Sequence, residues 1–466
     1  MSNFIEITYY TFEQLFSKAD ELIGQTVEQL LKGKVIDSGK GAIGNIIERE
    51  GFGVANNNES RPDFPLLETE LKVLPLKRGS KNNLSIKERT KICSINYKEI
   101  IDEKWKSSHA KIKLNKILFV FYEYDKSNPI KSKIIDYVLF NLESSDEPLI
   151  KSDWERTKKN VEDGYAHLLS ESQNIILAAS RSGAGKLEES QWPDQPNQKF
   201  SKKARQRAFS LKPSFTKTIW YELNNKGSLD KILDTVKYSN FEELKNYILG
   251  QLNKWEGHSI NEFANQHSID TKSSKNAHAN ILRTALGFYD KKKEIKEILQ
   301  LGLSVKITSC RPKDLYPWES MSFPYQPLGE LIEEERFDES EFYTYLQGFL
   351  FIPLLRNERN EKNLDKIIFG KSIIWLPTKK QLEGIQKEWE QIREIVKNDL
   401  KVWKKKTNNK KGFIQQNNLL GESDTKYIHM RPHAKDSSDL DTSIKTKISK
   451  QSFWFNKSFI KTLLKE

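Results

Sequence analysis

Acidic and basic residues cluster in one short stretch of the chain. Residues 62–72 read PDFPLLETELK. Side chains alternate between the two faces of a strand, so Glu70 and Lys72 should share a face, and Asp63 can approach Glu70 from the preceding turn. Carboxylates placed in this way can hold Mg²⁺, and Lys72 can help to deprotonate an attacking water or stabilise charge on a phosphate. The alternative is an amphipathic strand whose charged face is solvated.

Composition and charge favour a nucleic-acid partner. The 466 residues include 76 Lys and Arg against 64 Asp and Glu, a formal net charge of +12, which suits a polyanion. Hydrophobic residues make up 37 %, which excludes wholesale disorder. Cys93 and Cys310 are the only cysteines, so a disulfide framework is excluded. We find no signal-peptide pattern and no long apolar run, and we therefore expect a cytoplasmic protein without membrane spans.

The second half of the chain repeats short segments of the first half in the same order. We therefore predict two copies of one module at residues 1–222 and 238–466, joined by a polar linker at 223–237. The matched segments include FEQL and FEEL at residues 12–15 and 241–244, ILFV and FLFI at 117–120 and 349–352, and Asp153-Trp154 with Glu388-Trp389.

The periodicity of apolar residues predicts a mixed fold. We expect an α/β or α+β architecture, in which helices flank a mixed sheet. Helical spacing occurs at residues 11–31, 41–50 and 153–169, and strand patterns occur at 64–77, 114–122 and 175–179.

Three segments in order resemble a known nuclease family. They are KGAIGNIIE at residues 40–48, the stretch 62–72, and HAKIKLNKIL at 109–118. An acid followed by Glu-x-Lys is typical of restriction-endonuclease-like enzymes, and the full set resembles the MutH family. That family comprises the strand-nicking endonuclease of mismatch repair and type II restriction enzymes that cut GATC. Because two modules stand in tandem, the chain is more similar to the restriction enzymes, with two PD-(D/E)xK-type domains.

The resemblance implies catalytic roles for individual residues. Asp63, Glu70 and Lys72 match the two catalytic acids and the lysine of the family. Lys113 matches a second lysine near the scissile phosphate, and Glu48 an additional acid. The implied ligands of Mg²⁺ are Asp63, Glu70, Glu48 and Leu71.

The resemblance also implies DNA contacts in both copies. Arg181 matches an arginine that reads bases in the major groove, where Arg can bond bidentately to guanine. In the first copy, the other implied DNA contacts are Lys186, Arg207, Ser210 and Lys212. In the second copy, they are Arg431, His433 and Lys435. The family often has Arg-Pro at the reading position; the first copy has Arg181-Ser182 and the second has Arg431-Pro432.

The alignment of the two copies predicts that the second copy lacks most of the catalytic residues. The residues opposite Glu48, Asp63, Glu70, Lys72 and Lys113 are Arg283, Glu297, Ser304, Lys306 and Tyr345. One lysine without its acids cannot hold Mg²⁺, so the second copy is predicted to be catalytically inactive. It could bind a second DNA site as an allosteric effector, complete the reading of one palindrome, or remain as a structural remnant.

The expected function is a Mg²⁺-dependent type II restriction endonuclease that cuts double-stranded DNA at GATC. The alternatives are a mismatch-repair-type nickase and a non-catalytic accessory DNA-binding protein. A double-strand break needs two hydrolyses, so either two chains meet on the palindromic site or one chain nicks twice. Because two-fold DNA sites favour two-fold protein arrangements, we expect a monomer that dimerises on DNA. A cognate DNA methyltransferase would be its genetic partner.

The residue at position 210 generates a prediction about methylation. Ser210 stands where the repair enzyme has a tyrosine close to the methylatable adenine, and the smaller side chain leaves more room for a methyl group. We expect adenine-methylated and unmethylated GATC duplexes to be cut at similar rates. Parallel digestion of the two substrates measures this, and resistance of the adenine-methylated duplex would contradict it.

Overall fold

The computed structural model describes residues 6–33, 41–54, 61–78, 84–86, 88–142, 146–182, 192–224, 229–269, 280–290, 293–406, 413–436 and 438–466. The chain folds into two compact units. The first unit comprises Met1–Glu243 and Lys293–Leu301, and the second comprises Leu244–Lys292 and Gly302–Glu466. Both mix helices with strands, so the expected α/β class is confirmed. The predicted division into a catalytic module at 1–222 and a DNA-binding module at 238–466 stays a prediction, and residues 293–301 lie in the first unit.

The first unit has a mixed sheet with helices on both faces. Its helices are α1 (Phe12–Leu22), α2 (Val27–Leu31), α3 (Ala42–Ile46), α4 (His109–Asn115), α5 (Glu147–Glu162) and α6 (Pro213–Asn224). Its strands are β1 (Glu70–Arg78), β2 (Leu84–Ile86), β3 (Thr90–Ser94), β4 (Lys116–Glu123), β5 (Lys133–Asn141), β6 (Leu177–Arg181), β7 (Arg207–Leu211), β8 (Leu229–Asp230) and β9 (Glu294–Ile295).

The central sheet of the first unit places the charged motif beside its most buried strand. The strand order is β2-β1-β4-β5, with β1 parallel to β4 and both outer strands antiparallel. Six consecutive residues of β4 are buried, as expected of a strand covered on both faces. Apolar residues of α1, α2 and α3 pack on one face, and Phe215 and Trp220 of α6 contact aromatic rings of β4 and β5. A second sheet has the antiparallel order β3-β7-β6.

Two turns shorten the elements that periodicity predicts. The helical pattern of residues 11–31 is divided between α1 and α2, because Gly24 adopts a left-handed conformation with φ of 85°. The predicted strand 64–77 begins only at Glu70. Residues 65–67 form a 3₁₀ turn, and Glu68 is exposed with φ of 49°. This turn brings Asp63 back to the start of β1.

The second unit has the same kinds of element. Its helices are α7 (Phe241–Asn253, which begins at the boundary), α8 (Ile260–Gln266), α9 (Ile281–Ala285), α11 (Leu328–Glu333), α12 (Glu341–Thr344), α13 (Lys379–Glu394) and α14 (Lys457–Leu463), while α10 (Lys296–Gln300) belongs to the first unit. Its strands are β10 (Ser304–Cys310), β11 (Met321–Tyr325), β12 (Phe349–Leu355), β13 (Ile368–Phe369), β14 (Ile373–Trp375), β15 (Val402–Lys406), β16 (Phe413–Asn417), β17 (Ile428–Pro432) and β18 (Gln451–Phe455). Throughout the described ranges, every helix is too short or too polar to cross a membrane.

The two units share one backbone hydrogen-bonding pattern. Glu70 begins β1 opposite Ile117 of its parallel neighbour, and Ser304 begins β10 opposite Phe349 of parallel β12. The antiparallel sheet β3-β7-β6 has its counterpart in β11-β18-β17. The element order and the register are those expected of two copies of one module.

A buried carboxylate fixes the start of one outer strand of the three-stranded sheet in each unit, β6 in the first and β17 in the second. Asp153 accepts the N–H groups of residues 175–177 at 2.6–3.0 Å. Glu388 accepts those of residues 426–428 at 2.7–3.3 Å. Each acid precedes a buried tryptophan on its helix, Trp154 or Trp389.

We expect Asp153→Ala to lower the free energy of unfolding by about 3 kcal/mol, because three buried N–H groups lose their acceptor. Urea denaturation followed by circular dichroism measures the loss. Glu155→Ala is the control, since Glu155 lies on the same helix with its side chain 56 % exposed. Equal midpoints for the two variants would contradict the role of Asp153.

Candidate active site

The charged motif lines a cleft of about 960 Å³ in the first unit. The strand β1 contributes Glu70 and Lys72, and Asp63 comes from the turn before it. Glu48 lies on the helical turn that continues α3, and Lys113 lies on α4. The structure therefore brings all five predicted catalytic residues together around one cavity. The strand β3 also lines the cleft.

Glu70 is the centre of the ionic contacts in this cleft. Its side chain is only 2 % exposed. Lys72 Nζ lies 2.6 Å from Glu70 Oε1, and Lys113 Nζ lies 3.1 and 3.2 Å from the two carboxylate oxygens. Burial alone would lower the pKa of Lys72, but the charges of Glu70 and Asp63 outweigh it and raise that pKa above its usual value. Lys72 is therefore a cation at neutral pH in this arrangement.

The other two acids, Asp63 and Glu48, have less neighbouring positive charge than Glu70. Asp63 Oδ2 accepts the N–H of Leu71 at 2.9 Å, which ties the turn to β1. Burial raises the pKa of Asp63, against the opposing charge of Lys72. Burial also raises the pKa of Glu48 to about 7; Lys72 lowers it, and the charges of Asp63 and Glu70 raise it further. These carboxylates thus stand in a cleft that favours additional positive charge.

The donor chemistry fits a hard divalent cation, although the side chains are engaged with one another. Across the residues that the structure describes, no group of three His, Cys, Asp or Glu side chains is arranged to hold a metal. Glu70 is bound by its two lysines instead. The carboxylates of Glu48 and Asp63 are nevertheless oxygen donors on the same cleft, and raised pKa values mark acids short of positive charge. Leu71 is fully buried and apolar, and has only its backbone carbonyl to offer.

The predicted DNA-contact residues of the first unit differ in exposure. Arg181 is exposed at the end of β6 and pairs in register with Arg207 of β7. Arg207 is half-buried, and its Nη1 donates to the carbonyl of Ala179 at 3.1 Å. Lys186 lies outside the described residues.

Ser210 and Lys212 are buried, contrary to the expectation that both face DNA. Ser210 Oγ lies 2.7 Å from Ser180 Oγ, because β7 is the middle strand of its sheet. Lys212 is 8 % exposed, and burial lowers its pKa to about 8 against the opposing charge of Asp153. Lys212 therefore belongs to the interior around Asp153. The expectation of equal cutting of methylated and unmethylated DNA therefore rests on the resemblance to the family, and not on the position of the Ser210 side chain.

The predicted contact residues of the second unit lie at and just beyond the exposed end of β17. The guanidinium of Arg431 lies 5.1 Å from the ring centroid of Trp454. His433 Nδ1 lies 2.7 Å from Ser452 Oγ. Lys435 is exposed, and its backbone N–H donates to Asp439 at 3.0 Å.

The catalytic positions of the second unit carry different chemistry. Ser304 begins β10 as Glu70 begins β1, and Lys306 follows it as Lys72 follows Glu70. Burial lowers the pKa of Lys306, whereas acids raise that of Lys72. Tyr345 precedes Phe349 by four residues, as Lys113 precedes Ile117.

Glu297, which aligns with Asp63, has a different place and different partners in the structure. Glu297 lies in the first unit, where its carboxylate accepts the N–H groups of Ile232 and Leu233 at 2.9 and 3.0 Å. It is 2 % exposed, and the hydroxyl of Tyr238 also donates to it. Glu297 therefore holds the segment after β8 in place.

Comparison with known proteins shows what the part of the chain around this cleft is similar to. Residues 52–153 match the family model of MutH, the DNA mismatch repair enzyme, and this span contains Asp63, Glu70, Lys72 and Lys113. This part of the chain is therefore similar to MutH, as its motifs indicated.

Particular relatives differ in how much of the chain they match. The chain is 28 % identical over 500 aligned residues to the type II restriction enzyme Sau3AI of Staphylococcus aureus, which covers 97 % of this chain and 98 % of that protein. The mismatch repair proteins MutH of Haemophilus ducreyi and of Shewanella woodyi are each 27 % identical, over 44 % and 45 % of this chain and 91 % and 90 % of their own lengths. The restriction enzyme thus matches both halves of the chain, whereas each of these MutH proteins matches less than half.

Burial of Lys212 predicts a pH dependence of stability. Between pH about 8 and the ordinary lysine value of 10.5, the folded protein has released this proton while the unfolded chain still binds it. Raising the pH through this window therefore favours the folded state. We expect Lys212→Met to remove this increase, as measured by urea denaturation across the window. Lys202→Met, at an exposed lysine, is the control. A profile in Lys212→Met identical to that of the control would contradict the prediction.

Proposed function

We propose that this chain is a Mg²⁺-dependent type II restriction endonuclease that cuts double-stranded DNA at GATC. The cleft of the first unit, where Asp63, Glu48 and the lysine-paired Glu70 meet, is the observation that carries the proposal. Similarity to a type II restriction enzyme over 97 % of the chain favours this function over that of a repair nickase. The GATC site itself follows from the resemblance to the MutH family.

The acids and the lysines of the cleft would have different roles in the reaction. Asp63, Glu70 and Glu48, with the carbonyl of Leu71, would hold Mg²⁺, which when bound lowers the pKa of water and polarises a phosphate. Lys72 lies beside Glu70 as a buried cation, and it would stabilise the charge that builds on the phosphate. Lys113 would contact the scissile phosphate from α4. Glu70 positions both ammonium groups before DNA arrives.

The second unit would bind DNA without cutting it. Ser304 replaces the acid to which Lys72 is paired in the first unit, and the pKa shift of Lys306 is opposite to that of Lys72. We propose that this unit is a non-catalytic effector, whose occupancy by DNA promotes cleavage in the first unit. The rival function, an accessory binder, gives no reason for the first unit to keep its complete set of acids and lysines.

One active site per chain has a consequence for assembly. Two phosphodiester bonds must be hydrolysed for a double-strand break. We propose that the protein is a monomer in solution and that two chains meet on the two-fold-symmetric site. A cognate methyltransferase would protect the host DNA.

We expect Glu70→Ala and Lys72→Ala to lower the rate of plasmid cleavage by about 10³-fold or more, because the first removes a ligand of Mg²⁺ and the second removes a cation next to the reacting phosphate. Digestion of a plasmid with several GATC sites in Mg²⁺, with EDTA as a blank, measures the rate and maps the ends. Lys306→Ala is the matched control, since it removes the lysine at the same strand position of the second unit.

The outcomes separate the candidate functions. Fragments ending at GATC that persist in Lys306→Ala and disappear in Glu70→Ala support the endonuclease. Wild-type protein that binds GATC tightly and leaves the plasmid intact would favour the accessory binder. Nicked circles without linear product would favour the repair-type nickase.

A further inference from the structure

The strands that carry Arg181 and Arg431 can be superposed through their shared anchors. The amides bound by Asp153 end at Leu177, and those bound by Glu388 end at Ile428. Leu177 and Ile428 are therefore equivalent, and each begins its strand.

Counting from these anchors shows that the two arginines do not occupy equivalent positions on their strands. Arg181 is the fourth residue after Leu177, whereas Arg431 is the third after Ile428. Side chains alternate along a strand, so a difference of one residue places them on opposite faces. Arg431 therefore occupies the position of Ser180, and Arg181 has Pro432 as its counterpart.

The neighbouring strand confirms this correspondence. Leu177 pairs with Leu211, and Ile428 pairs with Phe455. One residue before each partner stand Ser210 and Trp454. The buried pair Ser180–Ser210 of the first unit, with its 2.7 Å contact, is thus replaced in the second unit by Arg431 over Trp454.

The replacement converts a closed interior pair into an open cationic surface. Arg431 is exposed, its guanidinium lies 5.1 Å from the indole centroid, and the ring of His433 lies 5.7 Å from the same indole. A guanidinium stacked on an aromatic ring keeps its N–H donors at the edges, where they can bond to phosphate or base oxygens. The polyanion that suits a chain of net charge +12 with a nuclease-like cleft is DNA.

We propose that Arg431, Trp454 and His433 form a DNA-contact surface particular to the second unit, in which Trp454 is a positioning residue that holds Arg431 against its ring. The two units therefore do not contact DNA through equivalent arginines. This inference rests on the proposed function, because it takes DNA as the ligand of both units.

The test measures the affinity of the full chain, carrying Glu70→Ala to prevent cutting, for a fluorescent GATC duplex over a range of salt concentrations. We expect Arg431→Ala to weaken binding about tenfold and to reduce the salt slope by about one. Trp454→Leu should weaken binding about threefold, and Trp454→Tyr, which keeps an aromatic face, should recover most of the loss. Arg359→Ala, at an exposed arginine of the same unit paired with Glu319, is the charge-matched control and should bind like the parent.

A double-mutant cycle distinguishes positioning from general destabilisation. If Trp454 acts through Arg431, Trp454→Leu should have no further effect on affinity in the Arg431→Ala background. Thermal melting of each variant is recorded, and Trp454→Tyr serves as the aromatic variant if Trp454→Leu unfolds. Additive losses of affinity in the double variant would overturn the proposal. So would Arg431→Ala binding as tightly as the parent, or Trp454→Tyr binding as weakly as Trp454→Leu.

The same duplex separates this inference from the proposed function. Wild-type protein with Mg²⁺ is assayed on it in parallel. Cleavage together with unchanged affinity in the Arg431 and Trp454 variants overturns the surface and leaves the nuclease intact. Absence of cleavage together with weakened binding in these variants overturns the nuclease and leaves the surface supported.

Discussion

The buried carboxylate of Glu70 constrains how β1, β4 and α4 of the first unit are arranged. A charge that is 2 % exposed must be neutralised within the protein, and Lys72 and Lys113 do this from two different elements. Lys72 lies two residues further along β1, so the strand itself aligns it. Lys113 comes from the helix that leads into β4, and it reaches Glu70 only because β1 and β4 are parallel with Glu70 opposite Ile117. Neutralisation of Glu70 therefore depends on the register of the sheet.

The second unit shows that the sheet does not require the charges. Ser304 and Lys306 occupy the same register against β12, and Tyr345, in the place of Lys113, donates its hydroxyl to Glu341 at 2.8 Å. A serine at the start of β10 needs no buried counter-ion, so the acid and its second lysine can be absent together. Removing only one of them would leave an unpaired charge. This coupling explains why the acid and its second lysine are absent together from the second unit, where only the lysine at position 306 remains.

Local spacing predicted a shared face for Glu70 and Lys72 and the class of the fold, whereas the places of Glu48 and Lys113 followed from the resemblance to the MutH family. Alternation along a strand gave Glu70 and Lys72 a common face, and the turn before β1 brought Asp63 back to the strand. Burial of Ser210 and Lys212 was not predictable, because it depends on β7 lying between β3 and β6. Long-range strand order leaves no trace in the spacing of single residues.

The sequence alone also did not show which residues of the two units are structurally equivalent. Glu297 aligns by position with Asp63, yet it binds the amides of residues 232 and 233 in the first unit. Arg181 and Arg431 align by residue type, but the backbone anchors offset them by one. Residue identity alone cannot fix register, since register is set by which N–H groups an acid such as Asp153 accepts.

The carboxylate anchors at Asp153 and Glu388 have a consequence for how such a molecule can change. Each holds the inner end of its strand by three hydrogen bonds to backbone, which any side chain at the held residues permits. Residues at the outer end of the strand can therefore be substituted without changing the register of the strand. In either unit, a point substitution places an arginine on a new face of the strand with no insertion or deletion. Laboratory evolution of an altered sequence preference can use the same positions, at the outer ends of β6 and β17.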